Sequence, residues 1–296
     1  MVANRQNAGC GLSAKKNVAH HYDIGNDLYR LMLDAEHWQY SCAYWPEGVS
    51  TLAEAQGAKL AHIAKKLALS PGQEVLDIGC GWGGMAIHLA KHHDVRVTGI
   101  TLSEEQAALA RERVRAAGVA DKVTILLEDY RDTAASGRRF DRIVSVGMFE
   151  HVGRAQFETF FADCARMLAD DGVMLLHTIG RFGGPGTTDA FTRKYVFPGG
   201  YIPALSETLA ASEKVRLIAT FIAVVAATTS SEAMAAGAIP DPYFGANETQ
   251  LQDVELSDWL YQCQFDVSAA DLAQGQWFLR ADGLDTFCEV RLNGVL

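Results

Sequence analysis

Short, wholly apolar runs alternate along the chain with apolar positions at helical spacing. Val75, Leu76 and Ile78 make a run of the kind buried on both faces of a parallel sheet. A turn with Gly79, Gly81, Gly83 and Gly84 follows, then Met85, Ile87, Leu89 and Ala90 at helical spacing. "VRVTGITLS", "KVTILLEDYRD" and "FDRIVSVGMFEHVG" read as three further strands. "EEQAALARERVRAAG" and "AQFETFFADCARMLADD" read as helices between and after them. This alternation predicts an α/β fold with a doubly wound parallel sheet. Ligand is expected beyond the carboxyl ends of the strands.

Glycines at the first turn let the backbone bend tightly and let a ligand lie against it. A dinucleotide enzyme is expected to carry an acid at the end of the second strand, for the ribose hydroxyls. Thr101, Leu102 and Ser103 stand there instead, and the acid, Asp77, lies on the first strand just before the glycines. This D-x-G-x-G-x-G arrangement resembles class I S-adenosylmethionine-dependent methyltransferases, with their Rossmann-like doubly wound sheet. In that class the residues ending the third strand, here Glu128, Asp129 and Tyr130, line the adenine pocket.

Four more segments narrow the resemblance: "HHYDIGNDLYRLMLDAEHWQYSCAYWPEG", "GITLSEEQ", "VGMFEHVG" and "LLHTIGRFGGPGTTDAFTRKYVFPGGYIPALSE". In this order, from about Asn17 to about Ala223, they resemble the cyclopropane-fatty-acyl-phospholipid synthases and mycolic acid cyclopropane synthases. The resemblance implies methylene transfer from S-adenosylmethionine to the cis double bond of an unsaturated acyl chain of a phospholipid. The carbocation on the acyl chain would lose a proton to a bound bicarbonate ion, and a cyclopropane ring would close. Water must be kept from the cation, yet a base must stand within reach of the departing proton. Carried over by position, Cys42, Glu150, His177 and Ile179 fall at the bicarbonate-binding, catalytic places. Ile179 and Cys42 would act through main-chain groups, Glu150 and His177 through side chains. Tyr40, Ser41, Asp77, Gly79, Gly81, Trp82, Gly83, Thr101, Leu102, Ser103, Gln106, Tyr130 and Arg131 fall at cofactor-binding places. No metal is implied.

Taken singly, these residues have plainer readings. Cys42 reads as a small buried hydrophobe, His177 as a hydrogen-bonded core histidine, and Glu150 as a helix cap. Tyr40, Tyr44 and Trp45 read as core aromatics, and the glycines from 183 to 186 as a flexible loop. Co-occurrence in one ordered pattern is what favours the site. On the "KLAHIAKKLALS" helix, Lys59, Lys65 and Lys66 read as a solvated face, with contact to lipid phosphates as the alternative.

After about Ala223 the resemblance ends, and with it the tyrosine expected to complete the bicarbonate site. Tyr243 and Tyr261 lie in the wrong contexts to replace it. "WLYQCQFDV", "GQWFLRADGL" and "CEVRLNGVL" alternate polar and apolar positions, as half-buried antiparallel strands do. Residues 231–296 resemble the first part of the N-terminal β-sandwich of a β-mannosidase of glycoside hydrolase family two. The expected organisation is a methyltransferase domain over 1–223, a junction over 224–230 and an incomplete all-β fragment over 231–296, in a chimeric chain. The glycosidase's catalytic carboxylates belong to a later domain, so no hydrolysis is expected of this fragment.

Composition removes some other readings. Lys and Arg number 26 against 36 Asp and Glu, a formal charge of −10, which disfavours nucleic acid as a partner. Six scattered cysteines, none in a CxxC pair, suggest a reducing compartment. No apolar leader is visible, and "LIATFIAVVAA" is about half the ~20 residues that span a bilayer. A cytoplasmic protein touching the membrane surface is therefore expected. Three alternatives remain from the sequence: a simple methyltransferase, a cofactor-binding chain without turnover, and a carbohydrate-binding fragment.

Overall fold

The computed structural model describes residues 26–181, 184–188, 200–215 and 220–226. The expected β-sandwich fragment, Tyr243, Tyr261 and the junction beyond residue 226 lie outside the described residues. The chain divides into two units, one of residues 1–225 and 283–296 and one of residues 226–282; everything below concerns the first.

In chain order the helices are α1 (Asn26–Met32), α2 (Leu52–Leu67), α3 (Gly84–His93), α4 (Glu104–Ala116), α5 (Tyr130–Ala135), α6 (Phe157–Met167) and α7 (Leu205–Lys214). The strands are β1 (Glu74–Ile78), β2 (Arg96–Thr101), β3 (Val123–Leu127), β4 (Phe140–Val146), β5 (Leu168–Gly180) and β6 (Thr220–Ala226). Their order across the sheet is β3-β2-β1-β4-β5-β6. The β1–β2, β1–β4, β2–β3 and β4–β5 pairs are all parallel, as the strand–helix alternation predicts. Chain direction across the sheet reverses between β1 and β4, and the crevice left there is where open α/β sheets bind ligands.

Side chains of the central strands alternate between two cores, as the period of two requires. Val75, Val144 and Leu175 pack with Leu60, Ile63, Met85 and Ala107, beneath α2, α3 and α4. Leu76, Ile143, Met174 and Leu176 pack on the other face with Phe149, Phe157, Phe160 and Phe161. Phe149 and Phe157 stack with ring centres 4.3 Å apart.

One boundary differs from expectation. The helical pattern of "AQFETFFADCARMLADD" stops at Met167, because Leu168 turns extended (φ −81°, ψ 137°) and begins β5. The register then shifts between Phe140 and Arg142, leaving "ADDG" as an irregular stretch before Val173 pairs with Arg142. The acidic end of the pattern continues the helical spacing in sequence, but it turns with the strand. No helix among the described residues is long and apolar enough to cross a membrane.

Candidate active site

A pocket opens at the carboxyl ends of β1, β2, β3 and β4, and its wall includes Trp38 to Ser41 from the segment between α1 and α2. Of the thirteen expected cofactor-binding residues, all but Gly83 and Ser103 line it. Those two shape the wall from behind. Gly83 (φ 79°) starts α3 without a side-chain cap, and Ser103 caps α4 by accepting from the Gln106 N–H.

The glycine turn fits closely. Gly79 has φ 79°, and a Cβ there would come within 2.8 Å of the Met148 side chain. Gly79 and Cys80 both donate to the Ile100 carbonyl at 3.0 Å, which ties the turn to the end of β2. A Cβ on Gly84 would lie 2.0 Å from the His37 carbonyl oxygen, so the segment entering the pocket wall crosses directly over the start of α3.

Asp77 ends β1 inside this pocket with 2% of its surface exposed, and its Oδ2 has no hydrogen-bond partner. Burial pushes its carboxyl up to about 7. At the end of β2, Thr101 Oγ1 donates to Gln106 Oε1 at 2.8 Å and accepts from Ser103 N–H, so the loop 101–106 is braced internally. At the end of β3, Asp129 caps α5. Its carboxylate accepts from Arg131 Nε at 2.9 Å and Nη2 at 2.6 Å. Burial opposes ionisation of Asp129, but the hydrogen bonds and charge of Arg131 outweigh it and hold the carboxyl below its ordinary value. Tyr130 meets Phe160 edge to face at 5.3 Å, which fixes its ring in the wall.

The other wall is pinned from several directions. Trp82 is buried, and its indole N–H donates to Asn26 Oδ1 at 2.8 Å. Arg113 of α4 donates to the carbonyls of Trp82 and Glu36, and its guanidinium sits 5.7 Å from the Trp38 ring centre. Gln56 of α2 donates to the Ser41 carbonyl at 2.9 Å, and Lys59 Nζ donates to Ser41 Oγ at 2.6 Å.

Of the four expected catalytic residues, Glu150 and Ile179 are in contact, and His177 stands two residues earlier on β5. Glu150, in a short 3-10 turn (Phe149–His151), accepts the Ile179 N–H on Oε1. Its Oε2 is buried without a partner, as is Nδ1 of His177, which pairs across the sheet with Val146. Burial raises the Glu150 carboxyl, although the Ile179 N–H pulls the other way. Burial also lowers His177 to about 4, with the charge of Lys59 adding to the effect. Cys42 follows Ser41 on the segment before α2, with its side chain exposed.

Several plainer readings are therefore corrected. Glu150 spends its carboxylate on a residue 29 positions away, so it is not a helix cap. His177 is not a satisfied core histidine. Cys42 is not a buried hydrophobe. Tyr40 and Trp45 are 37% and 47% exposed, so neither is core. Lys59 is 4% exposed and does not belong to a solvated face with Lys65; it turns inward on the same side of α2 as Gln56 and Ile63. Trp38, Gln39, Met148, Val152 and Gln156 also line the pocket, and sequence reasoning passed over them. The first two are visible only as part of the "HWQYSCAYW" segment, and Met148 and Val152 only as part of "VGMFEHVG"; no site signal marks Gln156.

Known proteins match the same residues. A family model described as mycolic acid cyclopropane synthetase matches residues 12–225. The cyclopropane-fatty-acyl-phospholipid synthase of Escherichia coli (strain K12) is 50% identical over 193 residues, covering 65% of this chain and 48% of its own length. The chain thus spans about half the length of that relative. The structure of the cyclopropane synthase MmaA2 from Mycobacterium tuberculosis superposes with a TM-score of 0.63 at 36% identity, covering 68% of this chain and 74% of that one. Mycolic acid cyclopropane synthase CmaA1 complexed with SAH and CTAB gives 0.62 at 34% identity, with the same coverage, 68% and 74%. A second model, glycosyl hydrolase 2 galactose-binding domain-like, matches residues 208–296, where the sequence resembles a β-mannosidase fragment. The two matches share residues 208–225, which run into the expected junction at 224–230. Over the fold and pocket described here, the chain belongs to the mycolic acid cyclopropane synthetase family.

Proposed function

We propose that this chain is an S-adenosylmethionine-dependent methyltransferase that forms cyclopropane rings on cis-unsaturated acyl chains of phospholipids, with a bound bicarbonate ion as the base. One observation carries the reading. Two separate sets of buried, unpartnered polar atoms stand at the carboxyl edge of one sheet. Asp77 Oδ2 is in the pocket, and Glu150 Oε2 with His177 Nδ1 are at the neighbouring strand ends. Buried polar atoms without partners are costly in a native fold, so each set calls for a ligand.

Asp77 fits the cofactor's amino group, whose N–H donors and positive charge would complete Oδ2 and favour the ionised carboxylate. Tyr130 and the Asp129–Arg131 pair fit the flat and polar parts of a nucleoside. The cofactor supplies an electrophilic methyl on a positive sulfonium. This chain's part is to hold it, to exclude water and to place a base. Glu150, its protonated form favoured by burial, can donate a hydrogen from Oε2 to an anion, while neutral His177 can direct its single ring N–H there from Nδ1. An anion held there need not compete with a carboxylate charge. Contact with a membrane surface and a cytoplasmic setting are part of the same proposal.

The test is direct: the full chain is incubated with methyl-labelled S-adenosylmethionine and vesicles bearing cis-unsaturated phospholipid, and the released fatty acids are analysed. Cyclopropane product supports the reading; label in an O- or N-methyl product overturns it. A second reading, cofactor binding without turnover, has its own support. The chain covers 48% of the Escherichia coli relative, and residues 208–296 match a different family. Saturable cofactor binding with no labelled lipid would favour it.

A further inference from the structure

Lys59 is the buried lysine among the described residues, and it does not line the pocket. It lies on α2, 4% exposed, and gives one hydrogen bond to Ser41 Oγ at 2.6 Å. No carboxylate among the described residues lies within ion-pair distance of it. Its neighbour Gln56, one turn earlier, already fixes the Ser41 carbonyl at 2.9 Å. A second clamp on the same residue does not require a charge, and a buried ammonium without a counter-ion is costly. Its electrostatic surroundings suggest what would balance it. Its amine holds Ser41, the residue before Cys42, its helix α2 packs against β5, and its charge acts on His177 of that strand. Asp34 is the other acid that acts on it, and the Asp34 carboxylate is already engaged by the His37 and Gln39 N–H groups.

We propose that Lys59 is a positioning residue that supplies the positive charge of the anion site formed with Glu150 and His177, and that a small oxyanion bound there is its missing counter-ion. The inference rests on the anion site of the proposed function and names its electrostatic partner. Burial lowers the Lys59 amine to about 7, with Cys42 and Asp34 opposing the shift. An anion arriving beside it favours the ammonium, so binding near pH 7 draws a proton onto the amine. Lys59 and Lys66 of α2 both act on His177, and both oppose its protonation. Burial shifts the Glu150 carboxyl toward its protonated form, and loss of uptake in the Lys59 variants would exclude it as the source. The proton taken up is therefore assigned to Lys59.

Bicarbonate is titrated calorimetrically into the full chain preloaded with S-adenosylhomocysteine, at pH 7, in two buffers of different ionisation enthalpy. The expected result is bicarbonate binding with net proton uptake in the unsubstituted chain. Lys59→Met should weaken that binding tenfold or more and abolish the uptake. Lys59→Arg should bind within threefold but without uptake, because guanidinium stays charged. Both variants should hold S-adenosylhomocysteine within threefold, which shows that the Ser41 wall is intact. The inference is overturned if Lys59→Met binds bicarbonate like the unsubstituted chain, or if both variants lose bicarbonate and S-adenosylhomocysteine together. His177→Ala separates the two levels. If it binds bicarbonate undiminished, or the unsubstituted chain binds none, the anion site itself falls and the role of Lys59 falls with it.

Discussion

The Ile179 N–H donates to the Glu150 carboxylate, so a residue just after β4 is tied to the last turn of β5. One carboxylate oxygen is used by the fold and the other, Oε2, is left without a partner. Glu150→Gln keeps an acceptor for Ile179 and replaces the oxygen that would face the anion by an amide. The substitution is expected to leave the thermal midpoint within about 3 °C, well under the shift that a lost buried bond gives. It should leave S-adenosylhomocysteine affinity unchanged and, because the amide N–H still donates where a protonated Oε2 would, keep lipid product formation within about tenfold; a larger loss would mean that the carboxylate charge is needed. Thermal melts, cofactor titration and labelled-product assays on the same preparation check it.

Asp77 makes the ligand-free chain sensitive to pH in a defined direction. Its ordinary value is 3.8 and its folded value about 7. Between the two, the folded chain holds a proton that the unfolded chain has released. Stability from this group is therefore lost as pH rises from about 4 to about 7, by up to ~1.4 kcal/mol per pH unit. Asp77→Asn should flatten that slope in urea unfolding at pH 5, 6 and 7. It should also weaken S-adenosylmethionine binding at pH 7.5, where the charge is present in the unsubstituted chain. An unchanged slope would remove the case for a proton on Asp77.

His177 has the opposite sign. Burial takes it from 6.5 down to about 4. Within that window the unfolded chain is protonated and the folded chain is not, so this group adds stability as pH rises from about 4 to about 6.5. Ring resonances assigned by comparison with His177→Gln should show no titration above pH 5 in nitrogen-edited NMR spectra. A midpoint near 6.5 would mean that the ring is solvated.

Gly84 leaves no room for a side chain against the His37 carbonyl. Gly84→Ala is expected to cost about 2 kcal/mol or more, as overpacking against rigid backbone does. It should weaken S-adenosylhomocysteine binding at the same time, because the displaced segment continues into Trp38 to Ser41 of the pocket wall. Gly118→Ala, where a Cβ meets nothing within 4 Å but φ is +71°, separates backbone strain from wall displacement. It should lose stability and keep cofactor affinity. Equal loss of affinity in both variants would refute the displaced wall.

The strand and helix order, the parallel sheet and most of the cofactor wall were legible because each depends on local signals. The run at Val75 to Ile78, the glycine turn, and the caps at Ser103 and Asp129 act within a few residues of themselves. Lys59 was misread for the converse reason. "KLAHIAKKL" carries three lysines at positions that a helix can present to water, and only the long-range packing of α2 on Ser41 decides that one turns inward. Met148 and Val152 were quoted within "VGMFEHVG" but not singled out, because they reach the pocket through the turn after β4 rather than through any periodicity. The end of α6 was misplaced because "LADD" fits the helical spacing, whereas pairing of Leu168 with Phe140 draws it into the sheet.

The clasp of Gln56 and Lys59 on Ser41 joins two independently adjustable halves of the pocket. The floor is set by strand ends that cannot move without disturbing both cores. The ceiling hangs from an amide and an amine on a helix outside the sheet. Drift at position 56 can therefore retune how tightly the chain grips its ligands while the two apolar cores beneath stay as they are.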